Sequence, residues 1–231
     1  MRYGMVINLD KCIGCQTCAV VCKLHNSQSP GTWWNRAFTQ GASYHQNAVG
    51  CDGAYKMEYL PVSCQMCANA PCAKICPTGA TYTDENGVVL IDYKHCIGCR
   101  ACMAACPYGV RQFNWRDAEK LKEKEIGYEY GYPHEVKDEP KRLVYTPNRP
   151  VGVVEKCTFC TQYVSRGQNP ACVDACPAKA RIFGDLDDPS SEVSRLVREQ
   201  QVYRLLEHYG TEPKVYYISS SRLKNREEMA E

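Results

Sequence analysis

The sequence lacks most of the signatures that mark an enzyme. Neither G-x-G-x-x-G nor G-x-x-x-x-G-K-[ST] occurs, so no dinucleotide or P-loop nucleotide site is indicated. There is no nucleophile-elbow motif, and the C-x-x-x-C-x-x-C triplet of radical enzymes is missing. The five histidines, His25, His45, His95, His134 and His208, are scattered with no metal-ligand spacing. Charge of one sign is lacking as well. With 28 Lys and Arg against 26 Asp and Glu, the formal net charge is +2, which gives no basis for a nucleic-acid partner held by bulk charge. No apolar run approaches the roughly 18 residues of a membrane helix, so no direct membrane span is expected. Met1 to Cys12 carries neither a signal-peptide apolar run nor a twin-arginine pair. Without an export signal a disulfide framework is not expected, because disulfides persist mainly in oxidising compartments. Export bound to a signal-bearing partner stays open.

What the chain does have is cysteine, 17 in 231 residues. Sixteen of them fall into four sets of four. Set one is Cys12, Cys15, Cys18 and Cys22, with gaps of two, two and three residues. Set three, Cys96, Cys99, Cys102 and Cys106, has the same gaps and ends in Pro107. Set two, Cys64, Cys67, Cys72 and Cys76, widens the middle gap to four and ends in Pro77. Set four, Cys157, Cys160, Cys172 and Cys176, widens it to eleven and ends in Pro177. One binding unit is therefore repeated four times. Cys22 is followed by Lys23 instead of proline, so the chain is expected to leave set one at a different angle. Cys51 lies outside every set and reads as a plain thiol.

The spacing has a physical meaning. A [4Fe–4S] cube needs thiolates at separate corners, and a tight loop can supply three of them. The run C-x2-C-x2-C-x3-C-P describes such a unit, and its fourth cysteine ligates the other cluster of a pair. Gly14 and Gly98 are expected where backbone must pass close to a cube. A single tetrahedral zinc ion does not suit three cysteines repeated at this spacing. Between Cys76 and Cys96 lies a short hairpin-like link with a turn at Asp84-Glu85-Asn86-Gly87 and a β-rich Val88 to Ile91, so sets two and three should form one compact module. By elimination sets one and four form the other. With the swap rule, four sites are expected: Cys12, Cys15, Cys18 and Cys176; Cys157, Cys160, Cys172 and Cys22; Cys64, Cys67, Cys72 and Cys106; and Cys96, Cys99, Cys102 and Cys76.

The expected fold class is α+β: two ferredoxin-like dicluster modules related by a pseudo-twofold repeat, with long loop insertions. Residues 1–62 and 151–218 make the outer module, with an insertion at 23–62. Residues 63–107 make the inner module, 108–150 a second insertion and 219–231 a polar tail. Strands are expected at Tyr3 to Leu9, Val88 to Ile91 and Val151 to Val154, with short helices carrying the later cysteines. Trp33-Trp34 lies in the first insertion, and Tyr128, Tyr130, Tyr132 and Tyr145 in the second. These aromatics read either as anchors for a partner subunit or as cover for the modules. Asp188-Pro189 reads as a helix cap with proline at the first position. Val193, Leu196 and Val197, then Val202, Leu205 and Leu206, form its apolar stripes, Gly210 its end, and Lys214 to Ile218 a closing strand.

Four such sets, the short second-to-third link and the Cys157 to Pro177 segment CTFC…NPACVDACP resemble the iron–sulfur subunits of the dimethyl sulfoxide reductase family. The resemblance runs from Tyr3 to about Val197. It implies four [4Fe–4S] clusters relaying electrons between a molybdopterin (molybdenum or tungsten) catalytic subunit and a membrane anchor or other redox partner, with no catalysis by this chain alone. It also implies location at the extracytoplasmic face by co-export with the catalytic subunit, or else a complex in the cytoplasm. All sixteen ligand positions are cysteine, so four-iron centres are expected throughout.

The competing readings are a free-standing polyferredoxin carrier, the electron-transfer subunit of a formate dehydrogenase or hydrogenase, and a zinc-ribbon interaction module. Lys11, Lys23, Lys74, Arg100, Lys156 and Lys179 sit beside or near the cysteines. A cation there favours the reduced form of a cube. His95, beside Cys96, reads as a surface histidine. Four oxidised cubes with their thiolates would add about −2 each, so the loaded chain would carry a net charge of about −6.

Overall fold

Every cysteine set begins where a strand ends. The computed structural model describes residues 1–39, 57–115 and 149–219. Set one lies between β1 (Tyr3–Asn8) and β2 (Arg36–Thr39), with its later cysteines on α1 (Thr17–His25). Set two follows β3 (Tyr59–Val62), carries α2 (Pro71–Lys74) and leads into β4 (Thr81–Thr83). Set three runs from β5 (Val89–Ile91) through α3 (Ala101–Ala104) to β6 (Gln112–Phe113). Set four runs from β7 (Val154–Glu155) through α4 (Thr161–Val164) and α5 (Ala171–Asp174) to β8 (Arg181–Asp185).

The strand after each set pairs antiparallel with the strand before the next: β2 with β3, β4 with β5, and β6 with β7. The strand after set four returns to the strand before set one, β8 against β1, with Met5 opposite Phe183. The four units thus close into a ring of strand pairs. Within it α1 packs on α5, and α2 on α3.

Helix length follows from what comes after the fourth cysteine. Proline disfavours helix in the residue before it. Accordingly α2, α3 and α5 stop at Lys74, Ala104 and Asp174, ahead of Pro77, Pro107 and Pro177. Set one has Lys23 at that place, and α1 continues three residues beyond Cys22. The Lys23 ammonium then donates to the carbonyls of Ser29 (2.8 Å) and Thr32 (2.9 Å), which ties down the following loop. Burial lowers its pKa to about 8.

The C-terminal part completes a four-stranded sheet. After α6 (Glu192–Glu199) come β9 (Val202–Tyr203) and β10 (Val215–Ile218), giving the order β8-β1-β10-β9. β1 is buried on both faces. Met5 and Ile7 join the main core, and Val6 meets Val193 and Ile218 under α6.

Two expectations are corrected here. The cap of α6 is Ser191, whose Oγ accepts from the backbone N–H of Ser194 at 3.1 Å. The Asp188 carboxylate instead closes a turn by accepting from the N–H of Ser190 at 2.8 Å, so the helix starts three residues later than expected. The second apolar stripe is not helical. The backbone is extended at Gln200, and Val202-Tyr203 pairs along the edge of β10. A β-branched and an aromatic residue gain more from that open ladder than from another helical turn. Gly210, at φ 63°, ends only a single 3-10 turn, Glu207–Tyr209.

Residues 108–115 are not loose loop: β6 pairs with β7, and Arg111 and Asn114 are buried. Trp34 is buried in this chain. Cys51, Tyr128, Tyr130, Tyr132, Tyr145 and most of the 219–231 tail lie outside the described residues. Among the described residues no helix is long and apolar enough to cross a membrane.

Candidate metal centres

The third position of every C-x-x-C loop is in the left-handed region: φ 67° at Gly14, 47° at Met66, 68° at Gly98 and 55° at Phe159. That conformation turns the chain back so that consecutive cysteines face the same hollow. Glycine adopts it freely, whereas Met66 and Phe159 are held in it by burial, at 0% and 1% exposure. The crowding at the glycines comes from the rest of the protein. A Cβ on Gly14 would stand 2.3 Å from the Tyr59 ring, and one on Gly98 would stand 2.0 Å from the Gly152 carbonyl oxygen. Gly98→Ala therefore combines an unfavourable φ with a backbone collision, and should cost about 2–4 kcal/mol. Gly79→Ala has the same sign of φ but open space, and should cost about 1 kcal/mol. Denaturant unfolding of the two variants checks the ranking.

The loops bring the sixteen set cysteines into four groups, all as free thiols. Cys12, Cys15, Cys18 and Cys176 line one hollow. Cys76, Cys96, Cys99 and Cys102 line a second, and Cys64, Cys67, Cys72 and Cys106 a third. Counting their mouths, these three enclose similar space free of protein atoms, about 380, 320 and 330 Å³. The cysteines of the fourth group, Cys22, Cys157, Cys160 and Cys172, are all buried. Cys22 lies within electrostatic reach of Cys157, Cys160 and Cys172, and Asn26 Nδ2 stands 3.7 Å from the sulfurs of both Cys22 and Cys160. In each group three thiols come from one set and the fourth from its packed partner.

Among the described residues, no three His, Cys, Asp or Glu side chains converge on a point where one ion could sit. The thiols instead face one another across a hollow, as the corners of a multi-iron core require. Burial raises the thiol pKa values at Cys67 and Cys172, each to about 12. The metal-free chain holds these sulfurs protonated, so loading must release protons. Cys76 goes the other way. Burial raises it, but N–H groups of Thr81, Thr78 and Ala80 and the Thr78 hydroxyl outweigh that and bring it to about 7. The N–H of Ala180 reaches the Cys176 sulfur at 3.3 Å in the matching place of set four.

Of the cations noted in the sequence, Lys156 is buried at 1% exposure. Its ammonium donates to the Cys157 carbonyl at 2.8 Å and to that of Val89. Lys74 is bonded to Asn69 outside the sites. The His95 side chain is 70% exposed and pairs with Asp92. Sequence reasoning missed Arg111 and Arg181, which are 3% and 4% exposed and lie against the thiols. A signal was available, since each stands five residues after the last cysteine of its set. Buried Arg111 Nε and Nη2 find no acceptor in the protein at hydrogen-bonding geometry. Donors of that kind fit the sulfide and thiolate sulfurs of an iron–sulfur core.

Short strand–loop–helix units that pair to gather their thiols in fours, with backbone N–H groups and buried cations around them, define a ferredoxin-like iron–sulfur protein. The chain belongs to the 4Fe–4S dicluster domain family, which it matches over residues 55–124 and 136–186; residues 3–24 match a 4Fe–4S binding domain. It is similar along nearly its whole length to iron–sulfur subunits of reductases. A Halobacterium salinarum protein named for the iron–sulfur subunit of a dimethyl sulfoxide reductase is 46% identical, over 94% of this chain and 79% of its own length. The arsenate respiratory reductase iron–sulfur subunit of a Shewanella species is 41% identical, over 97% and 99%. The thiosulfate reductase electron transfer subunit of Salmonella typhi is 37% identical, over 88% and 85%. The chain is thus an electron-transfer subunit rather than a catalytic one.

Proposed function

We propose that the chain binds four [4Fe–4S] clusters, one in each thiol group, and relays electrons between a molybdopterin catalytic subunit and a membrane anchor or other redox partner. The observation that carries this reading is the grouping of sixteen thiols into four sets of four, each completed by the cysteine of a partner set. Bound clusters supply one-electron transfer through a delocalised iron–sulfide core. The chain's own residues hold the cores apart, exclude water and set the charge around them.

The groups follow one another in a row. Cys18 of the first is within electrostatic reach of Cys172 of the second, Cys157 of the second within reach of Cys64 of the third, and Cys72 of the third within reach of Cys102 of the fourth. The row ends at exposed Cys15 on one side and exposed Cys99 on the other. Beside them Ile13 and Ile97 are 60% and 66% exposed, which suits these ends as docking faces for the two partners. The packing of α1 on α5 and of α2 on α3 supports an outer and an inner dicluster module related by a pseudo-twofold axis. So does the identical φ of 62° at Gln16 and Arg100, matching positions of sets one and three.

Iron and acid-labile sulfide analysis tests the cluster count. About sixteen of each per chain is expected from four cubes, and zinc without sulfide would reject the reading. Native purification tests the partner: the chain should come with a molybdenum- or tungsten-containing subunit. A monodisperse monomer carrying full activity would make it a free carrier instead.

A further inference from the structure

Four cubes with their thiolates would place about −2 at each of four closely spaced sites, and each added electron deepens that charge without any bond forming or breaking. The structure holds a buried cation at each of the three gaps along the row. Arg181 lines the hollow of Cys12, Cys15 and Cys18, while its Nη1 lies 3.9 Å from the Cys172 sulfur of the next group. Its Nη2 donates to Asn35 Oδ1 at 3.0 Å, which fixes the plane of the guanidinium. Arg111 does the same between the third and fourth groups. It lines the hollow of Cys64 and Cys67, lies against the thiols of both Cys72 and Cys102, and donates from Nη1 to Thr81 Oγ1 at 3.1 Å. Each arginine is nine residues after the cysteine it faces, in sets three and four respectively. Lys156 stands at the middle gap. It precedes Cys157 of the second group, has its ammonium 4.0 Å from Met66 Sδ in the set-two loop, and acts on Cys72 of the third.

We propose that Arg181, Lys156 and Arg111 are positioning charges, each shared by the two clusters on either side of its gap. Each raises the reduction potential of both neighbours and offsets the repulsion between electrons on them. Lys74, by contrast, is exposed and bonded to Asn69. A fixed charge in low dielectric acts strongly over such distances and is little screened by salt. Arginine suits the two gaps within modules, because its planar fork can direct donors toward both sides at once.

The proposal rests on the four-cluster reading, and the test separates the two. EPR-monitored redox titration of the full-length holoprotein, with iron content measured alongside, should give four potentials for the parent. In Arg111→Gln two of them should fall, each by at least tenfold in the reduction equilibrium, about 59 mV for one electron. In Arg181→Gln the other two should fall. Lys156→Met should lower one potential from each of those pairs. Arg111→Lys and Arg181→Lys keep the charge and should stay near the parent. This overlap pattern identifies neighbours without prior assignment of any signal. At parental iron content, unmoved potentials, a fall in a single cluster, or a uniform fall in all four would overturn the proposal. If a glutamine variant loses iron, its lysine counterpart decides. Full iron and parental potentials there sustain the shared charge, whereas iron lost there too would reduce the arginine to a structural tie. Fewer than four potentials in the parent is a different failure, that of the four-cluster reading itself.

Discussion

Replacing Cys176 with alanine should empty the site of set one and leave the site of set four filled. Cys176 belongs by sequence to set four, only four residues after Cys172. The structure turns it to the hollow lined by Cys12, Cys15 and Cys18, because the short helix α5 separates its direction from that of Cys172. The N–H of Ala180 holds its sulfur there. A cube left with three thiolates loses a corner and becomes labile. Iron should fall from about sixteen to about twelve per chain, or to about fifteen if a three-iron remnant survives. Cys22→Ala should do the reverse, emptying the site of Cys157, Cys160 and Cys172. Loss of the set-four cluster in Cys176→Ala would falsify the exchange of ligands between sets.

Glu155→Ala should destabilise the folded chain by about 3–5 kcal/mol. The Glu155 carboxylate is fully buried. Its Oε2 accepts from Trp34 Nε1 at 3.1 Å and lies 3.2 Å from Arg149 Nε. The Arg149 guanidinium in turn stacks over the Trp34 ring at 4.7 Å and donates to the Ser27 carbonyl at 2.7 Å. Removing the carboxylate takes the Glu155 charge from beside a buried guanidinium and leaves the Trp34 indole N–H without this acceptor. The attraction within such a pair does little more than offset desolvation, so the loss comes from the buried polar groups that the carboxylate no longer satisfies. Arg149→Met in the same chain should therefore recover much of the deficit, and a double-mutant cycle by denaturant unfolding measures it. A deficit below about 1 kcal/mol in the single variant would mean that water reaches the pair.

Trp34 also shows how far aromatic composition can be read. Trp33-Trp34 could be taken from the sequence as partner anchors or as cover, since both uses favour large rings. Trp34 turns out to be cover, because Glu155, 121 residues away, supplies its hydrogen-bond acceptor. No local pattern encodes that distance. The same limit applies to α6. Its first stripe is helical because the period is local, but Val202-Tyr203 became strand once β10 offered an unpaired edge. Asp188 looked like the better cap until its carboxylate was committed to the Ser190 turn, and Ser191 took the role.

The cysteine spacing carried the most information. Gaps of two and three residues lie within one loop and one helical turn, so their geometry is a local property that the sequence states directly. The prolines after Cys76, Cys106 and Cys176 set helix ends in the same local way, and the Lys23 exception was visible as well. Which set completes which hollow was inferable from the short second-to-third link. Nothing in the gaps, however, says that β8 must return to β1 and close the ring.

What the sequence by itself determined, then, is the kind of metal centre, because ligand type and spacing are short-range chemistry. Only the tertiary structure decided which thiols share a hollow and which buried cations lie against them. Arg111 and Arg181 are ordinary arginines in sequence, each sitting past the end of a motif. They become part of the sites only when a partner set folds against them, because burial is what keeps water from screening a charge.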